Sequence, residues 1–262
     1  MLTDYIRHLH DLHRAPTTIR LRTHYVRQYV TRYDPTRATP ESLSRWVHSH
    51  EWKPATVQSA AASLRSFFHW AHRTGMLPTN PAADLIPPKS RRNKARVATD
   101  GQIAAALLKA ATPQQEAWIR LGAECGLRVH EIAKVHQDDI DGEWLHVVGK
   151  GAQYRQQWLS ARLRDVLERC LPESRHGWLF PGKSGKPVHT STIWRAMRDL
   201  GGFNPHALRH RAGRVVYKSG GNNIRLAQEF LGHSSPMTTA HYLGIEQDEL
   251  QEAGQYAAFD AA

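Results

Sequence analysis

The sequence predicts a mainly α-helical protein with a small antiparallel β-sheet, organised as two domains. Three observations carry that expectation. Apolar residues recur at helical spacing through most of the chain. One stretch, residues 143–160, changes to strand texture around a glycine-bearing turn. Residues 86–98, IPPKSRRNKARVA, hold two prolines and five Lys/Arg with little to pack. That composition marks a basic linker between a helical domain of residues 1–85 and a second domain of residues 99–242.

The elements follow in order. Residues 2–13 place Leu2, Tyr5, Ile6, Leu9 and Leu12 on one helical face. A second helix begins near Pro16, with Ile19, Val26, Tyr29 and Val30 apolar and Arg20, Arg22 and Arg27 elsewhere around it. Proline suits a first turn, where its missing N–H is not needed. Thr39-Pro40-Glu41 opens a third helix to about His48, and Pro54 opens a fourth that runs through Phe67 and Phe68 to Gly75, a left-handed stop. In the second half, helices are expected over about 100–111 and 113–125. Trp144, Leu145, Val147 and Val148 form one strand and Tyr154 to Leu159 the next, joined by Gly149-Lys150-Gly151-Ala152-Gln153. Helices resume at about 161–171, 190–200, 206–219, 223–231 and 236–242, and a tail of residues 243–262 follows.

Composition narrows the function. At 262 residues, 40% hydrophobic and 23% charged, the chain can bury a core without disulfides. Cys125 and Cys170 are too few for a disulfide framework or a zinc set and read as core residues in a reducing compartment. The N-terminus lacks the apolar centre of a signal peptide, and no run of about 18 apolar residues suggests a membrane span. The net charge of +11 is unevenly placed. Residues 1–98 hold 16 Lys+Arg against 6 Asp+Glu, residues 99–262 hold 19 against 18, and residues 243–262 carry five acids and no Lys or Arg. A positive field over the first third points to a polyanion, with simple solubility charge as the plainer alternative.

Four short stretches carry chemistry: Gly126-Leu127-Arg128-Val129-His130-Glu131-Ile132; the turn with Lys150; His206-Ala207-Leu208-Arg209-His210; and Leu231-Gly232-His233, with Tyr242 nine residues later. Singly, each has an ordinary reading as a surface arginine, a turn lysine or a half-buried aromatic. His206 and His210 are spaced like a metal pair, but the glutamate of a His-Glu-x-x-His helix is missing and no third ligand stands out, so no metal is expected. Asp138, Asp139 and Asp141 read as a turn. Together, the four stretches form a kit for phosphoryl transfer without metal. Two arginines can clamp phosphate oxygens and two histidines can donate hydrogen bonds or move a proton. A lysine can protonate a leaving alkoxide, and a tyrosine can attack.

In order and spacing these stretches resemble the tyrosine recombinase (phage integrase) family, including the bacterial Xer recombinases, across nearly the whole chain. The resemblance implies catalytic roles for Arg128, Lys150, His206, Arg209, His233 and Tyr242, and supporting roles for Glu131 and His210. His130 stands where a small residue is common in the family. Residues 1–85 resemble the family's core-binding domain, which closes with the catalytic domain around DNA. The implied reaction leaves a 3′-phosphotyrosine at Tyr242, later attacked by a partner strand's 5′-hydroxyl, with no cofactor.

The helix near 190–200 resembles the one that enters the major groove, making Thr190, Ser191, Thr192, Arg195 and Arg198 candidates for DNA contact. A capped, solvated helix face is the alternative. Arg20, Arg22, Arg27, Lys53, Arg65 and Arg73 are candidate phosphate contacts in the first domain. The tail is expected to dock on a neighbouring protomer in a tetramer assembled on a short double-stranded core site. An accessory DNA-bending or directionality protein is a further possible partner; no membrane is expected. The chain begins directly at the core-binding helices, as the compact forms do. Integration or excision of a phage or other mobile genome is the expected task, with Xer-type resolution of chromosome or plasmid dimers as the alternative. The expected location is the cytoplasm, at the nucleoid. A type IB topoisomerase, a non-catalytic DNA-binding protein and a metal-dependent nuclease are the rival readings.

Overall fold

A computed structural model describes residues 1–87, 96–149, 154–171 and 177–233. The chain divides into two compact units, residues 1–93 and 94–262. Residues 88–95 of the expected linker lie outside the described residues.

Among the described residues, the first unit holds four α-helices: α1 (Leu2–Asp11), α2 (Pro16–Val30), α3 (Pro40–His48) and α4 (Pro54–Arg73). Proline opens α2, α3 and α4, as expected. Thr39 caps α3 reciprocally: its hydroxyl accepts from the Ser42 N–H at 3.2 Å, and the Ser42 hydroxyl accepts from the Thr39 N–H at 2.9 Å. The end of α4 is closed by Gly75, left-handed at φ 73°. The Gly75 N–H reaches His72 O at 3.0 Å and the Met76 N–H reaches Ala71 O at 2.9 Å, which satisfies the last carbonyls. α4 packs on α1, α2 and α3. The core is rich in rings set edge to face, such as Tyr5 on Phe67 (5.3 Å, 84°) and Tyr29 on Trp46 (5.4 Å, 86°).

The second unit contains α5 (Asp100–Lys109), α6 (Pro113–Ala123), α7 (Val129–Ala133), β1 (Ile140–Asp141), β2 (Trp144–Val148), β3 (Tyr154–Trp158), α8 (Ala161–Glu168), α9 (Thr190–Gly201), α10 (Pro205–Ser219) and α11 (Ile224–Leu231). The central helix is α6, which meets α5, α7, α8, α9 and α10. Its Ile119 and Leu121 are buried with Leu127, Ile132, Leu163, Phe180, Ile193 and Leu208. Cys125 and Cys170 are buried in the same unit. No helix among the described residues is long and apolar enough to cross a membrane.

The sheet is antiparallel in the order β1-β2-β3. Val147 faces Arg155 and Leu145 faces Gln157, so these four share the inner face, while the paired Trp144 and Trp158 share the outer one. Local differences from the expectation are small, and α8 ends at Glu168, three residues before the expected end. α5 and α6 stop about two residues early, because Ala110 is extended and leads into the Thr112 cap, whose hydroxyl accepts from the Gln115 N–H at 3.2 Å, while beyond α6 the chain turns left-handed at Gly126. Asp138 and Asp139 lie in a 3-10 turn, but Asp141 belongs to β1, an edge strand too short to show a period in sequence. The expected helix 236–242 and the tail 243–262 lie outside the described residues.

Candidate active site

Three helix ends build the site. Arg128 occupies the cap position before α7. Arginine cannot accept a hydrogen bond there, so Glu131, three residues on, reaches back and accepts from the Arg128 N–H at 2.8 Å. At the start of α10, the Asn204 side chain accepts from the Ala207 N–H at 2.9 Å. His206, Arg209 and His210 follow at spacings of three and four, which aligns them along one side of the helix. His233 is set by the stop of α11. Gly232 turns left-handed at φ 60°, its N–H reaches Glu229 O at 3.0 Å, and the His233 N–H reaches Gln228 O at 3.1 Å. The Gln228 amide also donates to His233 O at 3.0 Å.

These ends meet around one carboxylate. Glu131, whose side chain is 2% exposed, accepts from Arg128 Nη1 at 2.8 Å and from Arg155 Nη2 at 2.7 Å, and lies 3.8 Å from Arg209 Nη1. Arg209 is fully buried. Its Nη1 donates to the Gly126 carbonyl, and its Nη2 donates to the Leu231 carbonyl and to His233 Nε2 at 3.0 Å. Since arginine only donates, His233 Nε2 is the acceptor, and the neutral ring carries its proton on Nδ1. Arg209 therefore ties together the turn before α7 and the end of α11. Among the described residues, three guanidinium groups gather on this one carboxylate. Planar guanidinium groups bind phosphate oxygens in bidentate fashion, so the arrangement is suited to a phosphate.

The electrostatics agree. Burial alone would raise the Glu131 carboxyl, but hydrogen bonds and charge from Arg155, the Arg128 N–H and the charge of Arg209 outweigh it and hold the pKa at about 2. Loss of water, then Arg209, Arg128 and Arg155, depress His233 to about 3. His206 is exposed, yet the protein around it displaces enough water to lower its pKa, and Arg209 and Arg128 lower it further. His130 is lowered too, first by desolvation. Both His206 and His233 are thus neutral near pH 7: His206 can accept a proton, and His233, whose Nε2 is filled by Arg209, can donate its Nδ1–H.

Of the residues the sequence singles out, Arg128, Glu131, Arg209 and His233 meet directly; His206 lies one turn from Arg209, and His210 is buried on the same helix. Lys150 and Tyr242 lie outside the described residues. Arg20, Arg27, Lys53, Arg65 and Arg73 are exposed in the first unit, while Arg22 is half-buried and donates to Ser66 Oγ at 2.8 Å. On α9, Ser191, Thr192 and Arg195 are exposed and Thr190 is half-buried. Ser191 is drawn into the cap, with its hydroxyl 2.7 Å from His189 Nδ1, and Arg198 pairs with Asp199 at 3.0 Å. Among the described residues, no group of three or more His, Cys, Asp or Glu could hold a metal.

Sequence reasoning missed Arg155 and Gln157. Both point inward from β3: Arg155 forks onto Glu131, and the Gln157 amide donates to the Phe230 carbonyl at 2.7 Å. A signal was present, because alternation along Tyr154–Trp158 puts the aromatic ends outward and an arginine and a glutamine inward, the reverse of an ordinary half-buried strand. A cleft of about 780 Å³ opens between the hairpin and α11, lined among others by Arg155, Gly232 and His233.

Comparison with known proteins bears on this arrangement. The profile of the phage integrase family matches residues 99–249. Tyrosine recombinase XerC of Neisseria meningitidis is 30% identical over 245 residues, covering 86% of this chain and 78% of its own. Among solved structures, a lambda integrase dimer bound to a COC′ core site superposes with a TM-score of 0.77 at 19% identity, covering 93% of this chain and 94% of that one. A lambda integrase tetramer bound to a Holliday junction gives 0.73 at 20% identity, covering 90% and 76%.

Proposed function

Since this chain belongs to the phage integrase family, the tyrosine recombinases that cleave and rejoin DNA at specific sites, we propose that its reaction runs through Tyr242 with the Glu131-centred arginine cluster as its phosphate clamp. The Tyr242 oxygen attacks the scissile phosphorus. The bond from phosphorus to the 5′-oxygen breaks, and a 3′-phosphotyrosine forms. Neutral His206 takes the phenol proton, and Lys150 gives a proton to the departing 5′-oxygen. Arg128 and Arg209 stabilise the charge growing on the non-bridging oxygens. His233 can contribute only its Nδ1–H while its Nε2 accepts from Arg209. The 5′-hydroxyl of a partner strand reverses the attack, so the phosphodiester energy is kept. The observation that carries this reading is the clamp: three arginines gathered on one buried carboxylate.

The finer task is better served by the Xer-type reading. XerC at 30% identity over 86% of the chain supports resolution of DNA dimers over integration of a phage genome. The fold shared with DNA-bound lambda integrase supports double-stranded DNA as the substrate and assembly as a tetramer on it. Exposed Arg20, Arg27, Lys53, Arg65 and Arg73 in the first unit, and Arg195 on α9, are the proposed DNA contacts. Action on the host's own DNA would place the protein at the nucleoid.

The test is recombination between two directly repeated sites cloned from the DNA around its gene, with EDTA present. Wild type is expected to excise the intervening circle and Tyr242→Phe to bind the sites without cutting them. Cleavage by Tyr242→Phe, or a requirement for divalent metal, contradicts the reading. Exchange only between two unlike sites would favour the integrase alternative.

A further inference from the structure

We propose that Arg155 is a positioning residue of the strand-cleavage reaction: it satisfies Glu131 from the inner side of the site, so that Arg128 spends one guanidinium nitrogen on that carboxylate and keeps the rest for phosphate. The inference rests on the reading of Arg128 as a phosphate clamp. Three guanidinium groups approach Glu131, and they are not equivalent. Arg155 makes a fork, Nη2 to Oε2 at 2.7 Å and Nη1 to Oε1 at 3.3 Å, and its side chain is 7% exposed. Both of its terminal nitrogens are committed, so it does not present a clamp of its own. Besides its backbone N–H, Arg128 gives Glu131 only one guanidinium nitrogen, Nη1 at 2.8 Å, and its side chain is 22% exposed. Fork geometry fills both carboxylate oxygens at once, which a lysine cannot do.

Remove Arg155, and each Glu131 oxygen is left with a single donor, Oε1 with Arg128 Nη1 and Oε2 with the Arg128 N–H, because Arg209 Nη1 stands off at 3.8 Å. A buried carboxylate recruits the donors within reach. Arg128 would then swing from a single contact to a fork and turn its second nitrogen away from the substrate.

The surroundings are shaped for Arg155. A side chain at Gly232 would meet Arg155 Cδ at 3.0 Å and Nη1 at 3.1 Å, so the glycine that stops α11 also leaves room for this arginine. Two residues along the same strand, Gln157 holds β3 to the Phe230 carbonyl at 2.7 Å. The arginine thus stands on an anchored strand and fixes the clamp from behind.

The experiment compares wild type, Arg155→Gln, Arg155→Lys, Arg128→Ala and the Arg128→Ala/Arg155→Gln double variant. Each is given a duplex nicked beside the position where wild type cuts, carrying either an ordinary phosphate or a methylphosphonate there. The methylphosphonate lacks the charge the clamp neutralises. Both Arg155 variants are expected to bind this DNA as wild type does and to cut the phosphate about 100-fold more slowly, the scale of a 1 Å misplacement. On methylphosphonate the gap should narrow, as it should for Arg128→Ala, and the double variant should be no slower than Arg128→Ala alone. Loss of the same size on both substrates, or additive loss in the double variant, overturns the inference and leaves the proposed function standing. Arg155→Lys, which keeps the charge, overturns it as well if it cuts like wild type. A wild-type protein that does not cut any such duplex overturns the proposed function and this inference with it.

Discussion

Glu131 shows how one side chain can organise a site. Its carboxylate closes α7 through the Arg128 N–H and bridges two guanidinium groups beyond its own turn. Removing one partner of a buried, hydrogen-bonded ion pair costs roughly 3–5 kcal/mol, so Glu131→Gln should lower the unfolding free energy by about that much in a denaturant titration. Arg128→Ala should behave differently. It should slow cleavage by about 10²- to 10³-fold, or about 2.7–4 kcal/mol of transition-state stabilisation, while DNA binding in a gel-shift titration holds. The depressed pKa values give a third prediction. His233 ordinarily titrates near 6.5 but is held at about 3, so between those values the unfolded chain binds more protons than the folded one. Stability is therefore lost as pH falls through that window. Glu131, held at about 2 from 4.5, adds its own loss only below about 4.5. Thermal unfolding measured from pH 6.5 to 4.5 should show a falling Tm that His233→Gln flattens; an unchanged slope would contradict the burial of a neutral ring. Arg128, Arg209 and His233 were legible in the sequence because each sits in a short box with a fixed order. Arg155 was not, since its meaning lies in facing a carboxylate 24 positions away on the helix α7.

At the scale of elements, the helix ends matter more than the helix bodies. Proline starts, Thr39 and the Gly75 stop could be read directly, because caps are local chemistry. The Leu231-Gly232-His233 stretch was read as a source of a histidine, and only the structure shows that it is a helix stop that aims one. Two glycines separate these effects. Gly75 and Gly232 are both left-handed, at 73° and 60°, but a side chain at Gly75 meets open space, whereas one at Gly232 meets Arg155. Each alanine substitution should cost about 1–2 kcal/mol from backbone conformation. Gly75→Ala should leave the cleavage rate unchanged, and Gly232→Ala should slow it. Equal rates in a single-turnover assay would mean that the end of α11 does not position the site. The edge strand β1 escaped notice because two residues carry no period.

For the whole molecule, charge placement is the property that sequence reports best. Residues 1–98 carry 16 Lys+Arg against 6 Asp+Glu, and the first unit presents Arg20, Arg27, Lys53, Arg65 and Arg73 on its surface. If these meet phosphates, each substitution by alanine should flatten the plot of log affinity against log salt by about 0.9. At saturating protein the cleavage rate should not change. What composition could not report is the focusing of charge in the second unit, where near-neutral bulk conceals three arginines gathered on one acid. The central claim, that this cluster serves attack by Tyr242, is tested most directly by locating the covalent link. Wild-type protein would be trapped on a nicked duplex in EDTA, denatured and digested with trypsin, and the DNA-bearing peptide fragmented in a mass spectrometer. The chain has no Lys or Arg after Arg225, so Tyr242 and Tyr256 share the last peptide and fragmentation must tell them apart. The account predicts a nucleotide on Tyr242. A nucleotide on Tyr256 or on any other residue, or cleaved DNA with no protein attached, would contradict it.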